Sequence, residues 1–189
     1  MVINHVNAAD AVVKTKFGDV MPSSADLAGA AVELIGAENP NQQLKNALQP
    51  LKDQYDLIFI DCPPSLEMLT LNALAAADGI LVPVQCEYYA LEGLSDLMNT
   101  LRAVKKRINP NLEIFGVALT MFDGRTNFSA QVAQEVRRHF PGKVYATVIP
   151  RNIRLAEAPS HGLPVTVYDR SSRGAHAYKA MAGEIKNKL

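Results

Sequence analysis

Cysteine is scarce in this sequence. Only Cys62 and Cys86 occur among 189 residues, and neither belongs to a C-x-x-C pair or a histidine-rich stretch. This usage argues against a metal site built on cysteine. Both residues lie at or near the ends of apolar runs, which is typical of small buried hydrophobic side chains.

Long apolar runs are also absent. No stretch approaches the ~20 apolar residues of a membrane span, and the N-terminus lacks a positive region followed by an apolar core. The end of the chain, Glu184 to Leu189, is short and has only Lys186 and Lys188 as basic residues, so no amphipathic membrane helix is predicted. We therefore expect a cytoplasmic protein without a membrane partner.

Two enzyme fingerprints are missing. No G-x-S-x-G elbow accompanies His161, so a serine hydrolase is not indicated and loop capping is the preferred role of this histidine. No glycine fingerprint follows a first strand, which argues against a dinucleotide-dependent enzyme.

The formal net charge of the whole chain is zero, but the two halves of the sequence differ in charge. Residues 1–94 hold 4 Lys or Arg against 12 Asp or Glu, whereas residues 95–189 hold 15 against 7. This asymmetry points to a polyanion-facing surface in the second half. Length and a hydrophobic content of 48% predict a single domain over residues 1–189.

The most informative stretch joins an apolar run to an acid and a rigid turn. The run Leu57–Ile60 is typical of a strand that is covered on both faces, as in parallel sheets. Asp61 then stands at the carboxyl end of that strand, where ligands bind in open α/β sheets. Pro63 and Pro64 stiffen the turn, and Ser65 is a candidate helix cap.

The rest of the chain alternates between helical and strand-like patterns. Helices are predicted from residue 23 or 24 to 34, from 39–40 onward, and over 66–77, 88–108, 126–140 and 172–188; strands are predicted over 79–84, 114–121, 144–149 and 165–168. This order predicts an α/β fold with a doubly wound, mainly parallel sheet flanked by helices.

Three polar loops follow carboxyl ends of predicted strands: Asp61–Ser65, Thr120–Asn127 and Pro150–His161. Carboxyl ends of parallel strands share one edge of a sheet, so these loops could share one ligand.

These loops and their neighbours resemble the ParA/Soj family of partitioning ATPases, relatives of MinD among the deviant Walker-motif P-loop NTPases. The matching stretches are 55–65, 83–94, 119–123, 149–152, 157–162, 168–169 and 172–174. A match this long and ordered is far more specific than a lone glycine pattern.

The resemblance implies a nucleotide site. Asp61 matches the acid that holds Mg through water in the family. Met121, Pro150 and Asn152 lie in segments that border the adenine of ATP in the family.

The resemblance also implies partners. Arg125 and Arg154 match arginines by which nucleotide-bound dimers of the family grip DNA without reading its sequence. A family member would further meet a ParB/Spo0J-like partner protein and associate with the nucleoid. Without the resemblance, a solvated loop charge or pairing with a carboxylate is the preferred interpretation of both arginines.

The family's glycine-lysine phosphate loop and its following catalytic aspartate have no match in this sequence. None of the 11 glycines opens a G-x-x-x-x-G-K-[ST] run. We therefore expect an N-terminally truncated member of the family without a catalytic residue, with little or no ATP binding by the chain alone.

Two functions stay open. The first is the C-terminal portion of a chromosome or plasmid partitioning ATPase, inactive unless complemented. The second is a non-catalytic module that binds DNA or a partner without nucleotide.

Tyr88 and Tyr89 could stack on bases, but packing or dimer contacts are the preferred interpretation of these two side chains.

Overall fold

The computed structural model describes residues 7–63, 65, 67–87 and 90–189. The chain divides into two compact units, residues 1–78 with 99–113, and residues 79–98 with 114–189. The expectation of one domain over 1–189 stays a prediction.

The first unit is mainly helical and contains a short hairpin. Strands β1 and β2 pair antiparallel, with Val13 opposite Val20. The elements in chain order are a 3-10 turn Ala8–Ala11, β1 (Val13–Thr15), β2 (Gly18–Val20), α1 (Leu27–Ile35), α2 (Gln43–Leu48), a 3-10 turn Gln49–Leu51, α3 (Met68–Ala76) and the second half of α4 (Ala90–Arg107). Ala8, Leu48 and Leu51 form a small buried cluster in this unit.

Two buried asparagines hold this unit together. The side-chain oxygen of Asn72 accepts a hydrogen bond from the backbone N–H of Leu44 at 3.1 Å, and its Nδ2 donates to the carbonyl of Pro40 at 2.8 Å. The Nδ2 of Asn109 donates to the carbonyl of Ala77 at 2.8 Å. Because buried amides must be hydrogen-bonded, these contacts fix the approach of α2 to α3 and the chain after α4.

The predicted strand over Leu57–Ile60 is wrong. These residues belong to no strand among the described residues, and Leu57 and Phe59 are 43% and 68% exposed. The apolar composition is that of a central strand. A strand also needs a backbone partner, and no neighbouring strand of the described chain pairs with this stretch.

The second unit is a three-layer α/β arrangement. Its sheet pairs β3 (Gly79–Gln85) with β4 (Glu113–Thr120). The helices that follow are α5 (Asn127–His139), α6 (Ile153–Glu157), a 3-10 turn Ala158–His161, α7 (Val165–Tyr168) and α8 (Arg173–Lys186).

The two faces of this sheet are covered by different helices. Val82, Val117 and Leu119 pack with residues of α4 and α5 on one face. Ala118 and Tyr145 pack with residues of α8 on the other. Apolar residues thus alternate between two covered faces, and the predicted α/β class with a parallel sheet and flanking helices is confirmed.

The predicted strand over 144–149 is present only in part. The segment runs parallel to β4, with bridges from Val117 to Val144 and from Phe122 to Pro150. Between these bridges, the backbone N–H groups of Ala146 and Thr147 donate instead to the carboxylate of Glu184, each at 2.8 Å. Because a side chain of α8 takes these donors, regular pairing is interrupted.

The predicted strand over Val165–Tyr168 is wrong. Valine, threonine and tyrosine favour strands, but these residues form the single turn α7. Pro164 precedes the turn, and its carbonyl accepts hydrogen bonds from the N–H groups of Val167 and Tyr168, each at 2.9 Å. The Tyr168 ring also stacks on His161, with centroids 4.8 Å apart, so tertiary contacts override the strand propensity.

The other predicted elements are confirmed with small shifts at their ends. The helix predicted from residue 66 is described from Met68, and the helix predicted from residue 88 is described from Ala90. The predicted roles of Pro64, Tyr88 and Tyr89 lie outside the described residues.

The close approach of Tyr145 to Gly116 predicts a stability effect. A Cβ atom at Gly116 would lie 2.5 Å from ring atoms of Tyr145, whose side chain is buried and cannot withdraw. We expect Gly116→Ala to lower the free energy of unfolding by about 1–3 kcal/mol in urea denaturation, since overpacking forces displacement. The matched control is Gly183→Ala in α8, where a Cβ meets nothing within 4 Å. A neutral Gly116→Ala variant would contradict this packing.

Candidate functional site

A cleft of about 490 Å³ opens at the carboxyl ends of β3 and β4. This is the edge at which open parallel sheets bind ligands. Apolar and polar side chains are mixed in its wall. The lining residues are Cys86, Glu87, Met121, Asp123, Thr126, Phe128, Ser129 and Arg151.

Met121 forms part of this wall as β4 ends. Its φ is +53°, a left-handed conformation that is uncommon for a residue with a side chain. The next residue, Phe122, donates its N–H to the carbonyl of Ile149 at 3.1 Å and accepts from the N–H of Arg151 at 3.0 Å. The loop after β4 is thereby joined to the chain around Pro150.

Ser129 ties the loops after β3 and β4 together. It is 4% exposed, and its hydroxyl donates to the carbonyl of Cys86 at 3.3 Å and accepts from the N–H of Asp123 at 3.4 Å. The side chain of Thr126 caps α5 by accepting from the N–H of Ser129 at 3.3 Å. The part of the cleft wall formed by Thr126, Phe128 and Ser129 is therefore the capped N-terminus of α5.

An ion pair between Arg151 and Glu87 contributes to the wall of the cleft. The guanidinium of Arg151 donates to the carboxylate of Glu87, and both side chains are about half exposed. The partners are 64 positions apart, so no local sequence pattern indicates their contact. The sequence signals for these residues are their places in the stretches 83–94 and 149–152 that carry the family resemblance and, for Arg151, the polarity of its loop.

Arg125 forms a bidentate ion pair with Asp123, two residues before it. Its Nε and Nη2 donate to the two carboxylate oxygens of Asp123 at 2.9 and 2.7 Å, and its backbone N–H donates to the same carboxylate at 3.1 Å. These hydrogen bonds hold the pKa of Asp123 well below its usual range, against a smaller opposing effect of burial. They also raise the pKa of the Arg125 guanidinium.

Arg154 lies between two acids. Its Nη1 donates to Glu157 at 2.8 Å, and its Nε is 3.3 Å from a carboxylate oxygen of Asp169. The hydroxyl of Tyr168 also donates to Glu157, at 3.2 Å. The hydrogen bond and charge of Glu157 are the main reason why the pKa of Arg154 is raised.

The remaining predicted nucleotide-site residues are placed as follows. Pro150 bridges to Phe122 beside the cleft, and Asn152 caps α6 by accepting from the N–H of Arg154 at 2.9 Å. Neither is among the residues that line the cleft. Asp61 is exposed and belongs to the first unit, whereas the other five predicted site residues belong to the second.

Comparison with known proteins identifies the family. A family model described as "AAA domain" matches residues 1–114. The chain is 56% identical over 167 residues to the sporulation initiation inhibitor protein Soj of Bacillus subtilis, covering 88% of this chain and 66% of Soj. It is 49% identical over 180 residues to the chromosome partitioning protein ParA of Caulobacter vibrioides, covering 93% of this chain and 67% of that protein. The chain belongs to the ParA/Soj family.

The chain thus spans about two thirds of the length of these ParA/Soj relatives. A solved structure, cobyrinic acid a,c-diamide synthase from Mycobacterium smegmatis with bound ADP and magnesium, matches 96% of this chain and 67% of its own chain, with a TM-score of 0.80 and 34% identity. Its fold is therefore shared by a protein that holds ADP and magnesium.

The described residues contain no group of three or more His, Cys, Asp or Glu side chains suited to a metal ion. Among their helices, none has the length and apolar content needed to cross a membrane.

The Asp123 contacts predict a specific pH dependence. Because the folded-state pKa of Asp123 is lowered, its contribution to stability is present above about pH 4 and is lost as the pH falls toward the folded-state value. We expect the loss of free energy of unfolding between pH 5 and pH 3 to be smaller in Asp123→Asn and in Arg125→Ala than in the parent. Urea titrations at each pH measure it. The control is Asp53→Asn, at an exposed acid of the first unit, and an unchanged acid limb in both variants would refute the pairing.

Proposed function

We propose that this chain acts in chromosome or plasmid partitioning as a ParA/Soj-type protein that binds DNA without sequence preference, self-associates as a dimer and answers to a ParB-like partner. The observation that carries the proposal is that Arg125 lies in the loop after β4 and Arg154 lies in α6, within the polar loop that begins at Pro150. Phe122 and Pro150 bridge these two loops, in a chain about half identical to named partitioning proteins. The net positive charge of residues 95–189, which include both loops, supports a polyanionic partner.

The cleft fits the base of a nucleotide better than its phosphates. Met121 and Phe128 offer apolar surface, as base pockets require. The carboxylates of Glu87 and Asp123 in the same wall would repel a triphosphate. We therefore propose that Met121 contacts the base, and that Pro150 and Asn152, which do not line the cleft, border it from the segment bridged to Phe122.

We propose no residue of the second unit for phosphate binding or for hydrolysis. The 189 residues contain no glycine-lysine loop, whose backbone N–H groups and lysine would hold the phosphates. Hydrogen bonds to charged groups are worth about 1.5–3 kcal/mol each, so the lack of four would remove most of a micromolar affinity of about 8 kcal/mol. Asp61 is proposed as a Mg ligand through water when MgATP is bound.

A second function is favoured by the same cleft. Because its polar wall is already paired internally through Glu87 and Arg151, the chain could serve as a DNA- or partner-binding module without nucleotide. DNA binding that is equal with and without MgATP would favour this module.

DNA binding should depend on salt and on the two arginines. Two phosphate contacts per protomer give about four in a dimer and a slope near −3.6 in log affinity against log salt. We expect Arg125→Ala or Arg154→Ala to weaken binding to random-sequence duplexes and to reduce the slope by about 1.8 in a dimer. Fluorescence anisotropy from 50 to 200 mM salt measures both quantities.

The control is Arg107→Ala, which removes the same charge at the end of α4. If all three variants weakened binding equally, Arg125 and Arg154 would act only through the net charge of the protein, and a defined DNA surface would be contradicted. No binding at 50 mM salt, with or without MgATP, would overturn the DNA role itself.

Nucleotide binding gives a separate test. We expect no micromolar binding of fluorescent ATP with Mg to this chain, because the phosphate-binding residues are lacking. Titration followed by anisotropy measures it, with Asp61→Ala as the matched variant. Micromolar binding that Asp61→Ala abolishes would show a working nucleotide switch and refute this expectation.

A further inference from the structure

Both arginines proposed to meet DNA are already occupied by carboxylates of the same chain. Arg125 is held by Asp123, and Arg154 is held by Glu157 and Asp169. We propose that these three carboxylates mask the DNA-binding arginines, so that DNA phosphates must displace them and the acids set the affinity for DNA. This inference rests on the proposed function and adds a regulatory contact to it.

The Arg125 contact occupies the groups that would bind a phosphate. Two guanidinium N–H groups of Arg125 point at the two oxygens of Asp123, at 2.9 and 2.7 Å. Arginine binds phosphate with the same planar fork, so one anion excludes the other from these donors. The side chain of Arg125 is 87% exposed and that of Asp123 only 22%, so the arginine can turn outward while the acid stays in place.

The Arg154 contact is wider but obeys the same logic. Glu157 and Asp169 approach its Nη1 and Nε, which are separate donors of one guanidinium. Both acids have further donors that keep them in position. Tyr168 donates to Glu157 at 3.2 Å, and the hydroxyl of Ser171 donates to Asp169 at 2.8 Å. The carboxylates are therefore fixed groups of the fold that Arg154 can leave.

Each acid also acts on DNA at longer range. When a phosphate takes the place of the carboxylate on the arginine, the carboxylate remains within a few ångströms and repels that phosphate. Exposed ion pairs are individually weak, which makes such a mask reversible by a polyanion carrying many phosphates.

The test combines carboxylate and arginine variants in one cycle. We expect Asp123→Asn, and separately Glu157→Gln with Asp169→Asn, to tighten binding to a random-sequence duplex about three- to fivefold at 100 mM salt. In the backgrounds Arg125→Ala and Arg154→Ala respectively, the same substitutions should tighten binding no more than the control does.

The control is Glu135→Gln, which removes one carboxylate from the comparable i,i+3 pair with Arg138 in α5. Urea denaturation of each variant verifies that it is folded, and the isosteric amides keep the shape of the loops. A gain for both carboxylate variants that disappears without the paired arginine supports the mask.

Three outcomes would overturn the mask. Binding that is weakened by Arg125→Ala and Arg154→Ala but unchanged in the carboxylate variants refutes the mask and leaves the proposed DNA surface intact. An increase in DNA affinity that equals the increase in Glu135→Gln, or that persists when the arginine is removed, means that the carboxylates act only through net charge. No DNA binding by any variant overturns the mask together with the proposed function.

Discussion

The parallel pairing of residues 144–150 with β4 is the constraint on which the second unit depends. It positions the loop after β4 beside the loop after Pro150, and the cleft exists because these two loops adjoin. Where the pairing is interrupted, Glu184 of α8 holds the segment in place by accepting from two of its backbone N–H groups. The pairing is also limited by Gly116, which alone leaves room for the Tyr145 ring. The backbone hydrogen bonds of Phe122 with Ile149 and Arg151 join the two polar loops, and Glu184 and Gly116 keep the segment before them in place.

Much of the fold could be predicted from the sequence because its signals are local. Strands β3 and β4 are apolar runs, and α5 and α8 begin at Thr126 and Ser172, whose side chains accept hydrogen bonds from N–H groups at the helix starts. The failures have non-local causes. The run Leu57–Ile60 has strand composition but lacks a partner strand in the described chain, and Val165–Tyr168 has strand propensity but is held in a turn by Pro164 and His161. The hairpin of β1 and β2 was missed because three-residue strands leave almost no periodicity.

The candidate site was predictable in outline only. Polar loops after strands located the edge, and Met121 does line the cleft. The pairing of Glu87 with Arg151 could not be predicted, because it is created by the sheet and spans 64 positions. Carboxylate pairing of Arg125 and Arg154 was one alternative from the residues alone, and the structure confirms it for both. Pairing does not decide whether an arginine also meets phosphate, since the same donors serve either anion.

The two cysteines differ in a way that makes the chain easy to label. Cys86 is 2% exposed and is one of the residues that line the cleft, whereas Cys62 is exposed and directly follows Asp61. Although the residue is exposed, partial desolvation of its thiol, with the neighbouring Asp61 charge, raises the pKa of Cys62, so a thiol-reactive dye attaches more slowly at neutral pH than in mild alkali. The natural sequence thus carries one accessible attachment point beside its candidate magnesium ligand, and a fluorophore can be placed there without any substitution.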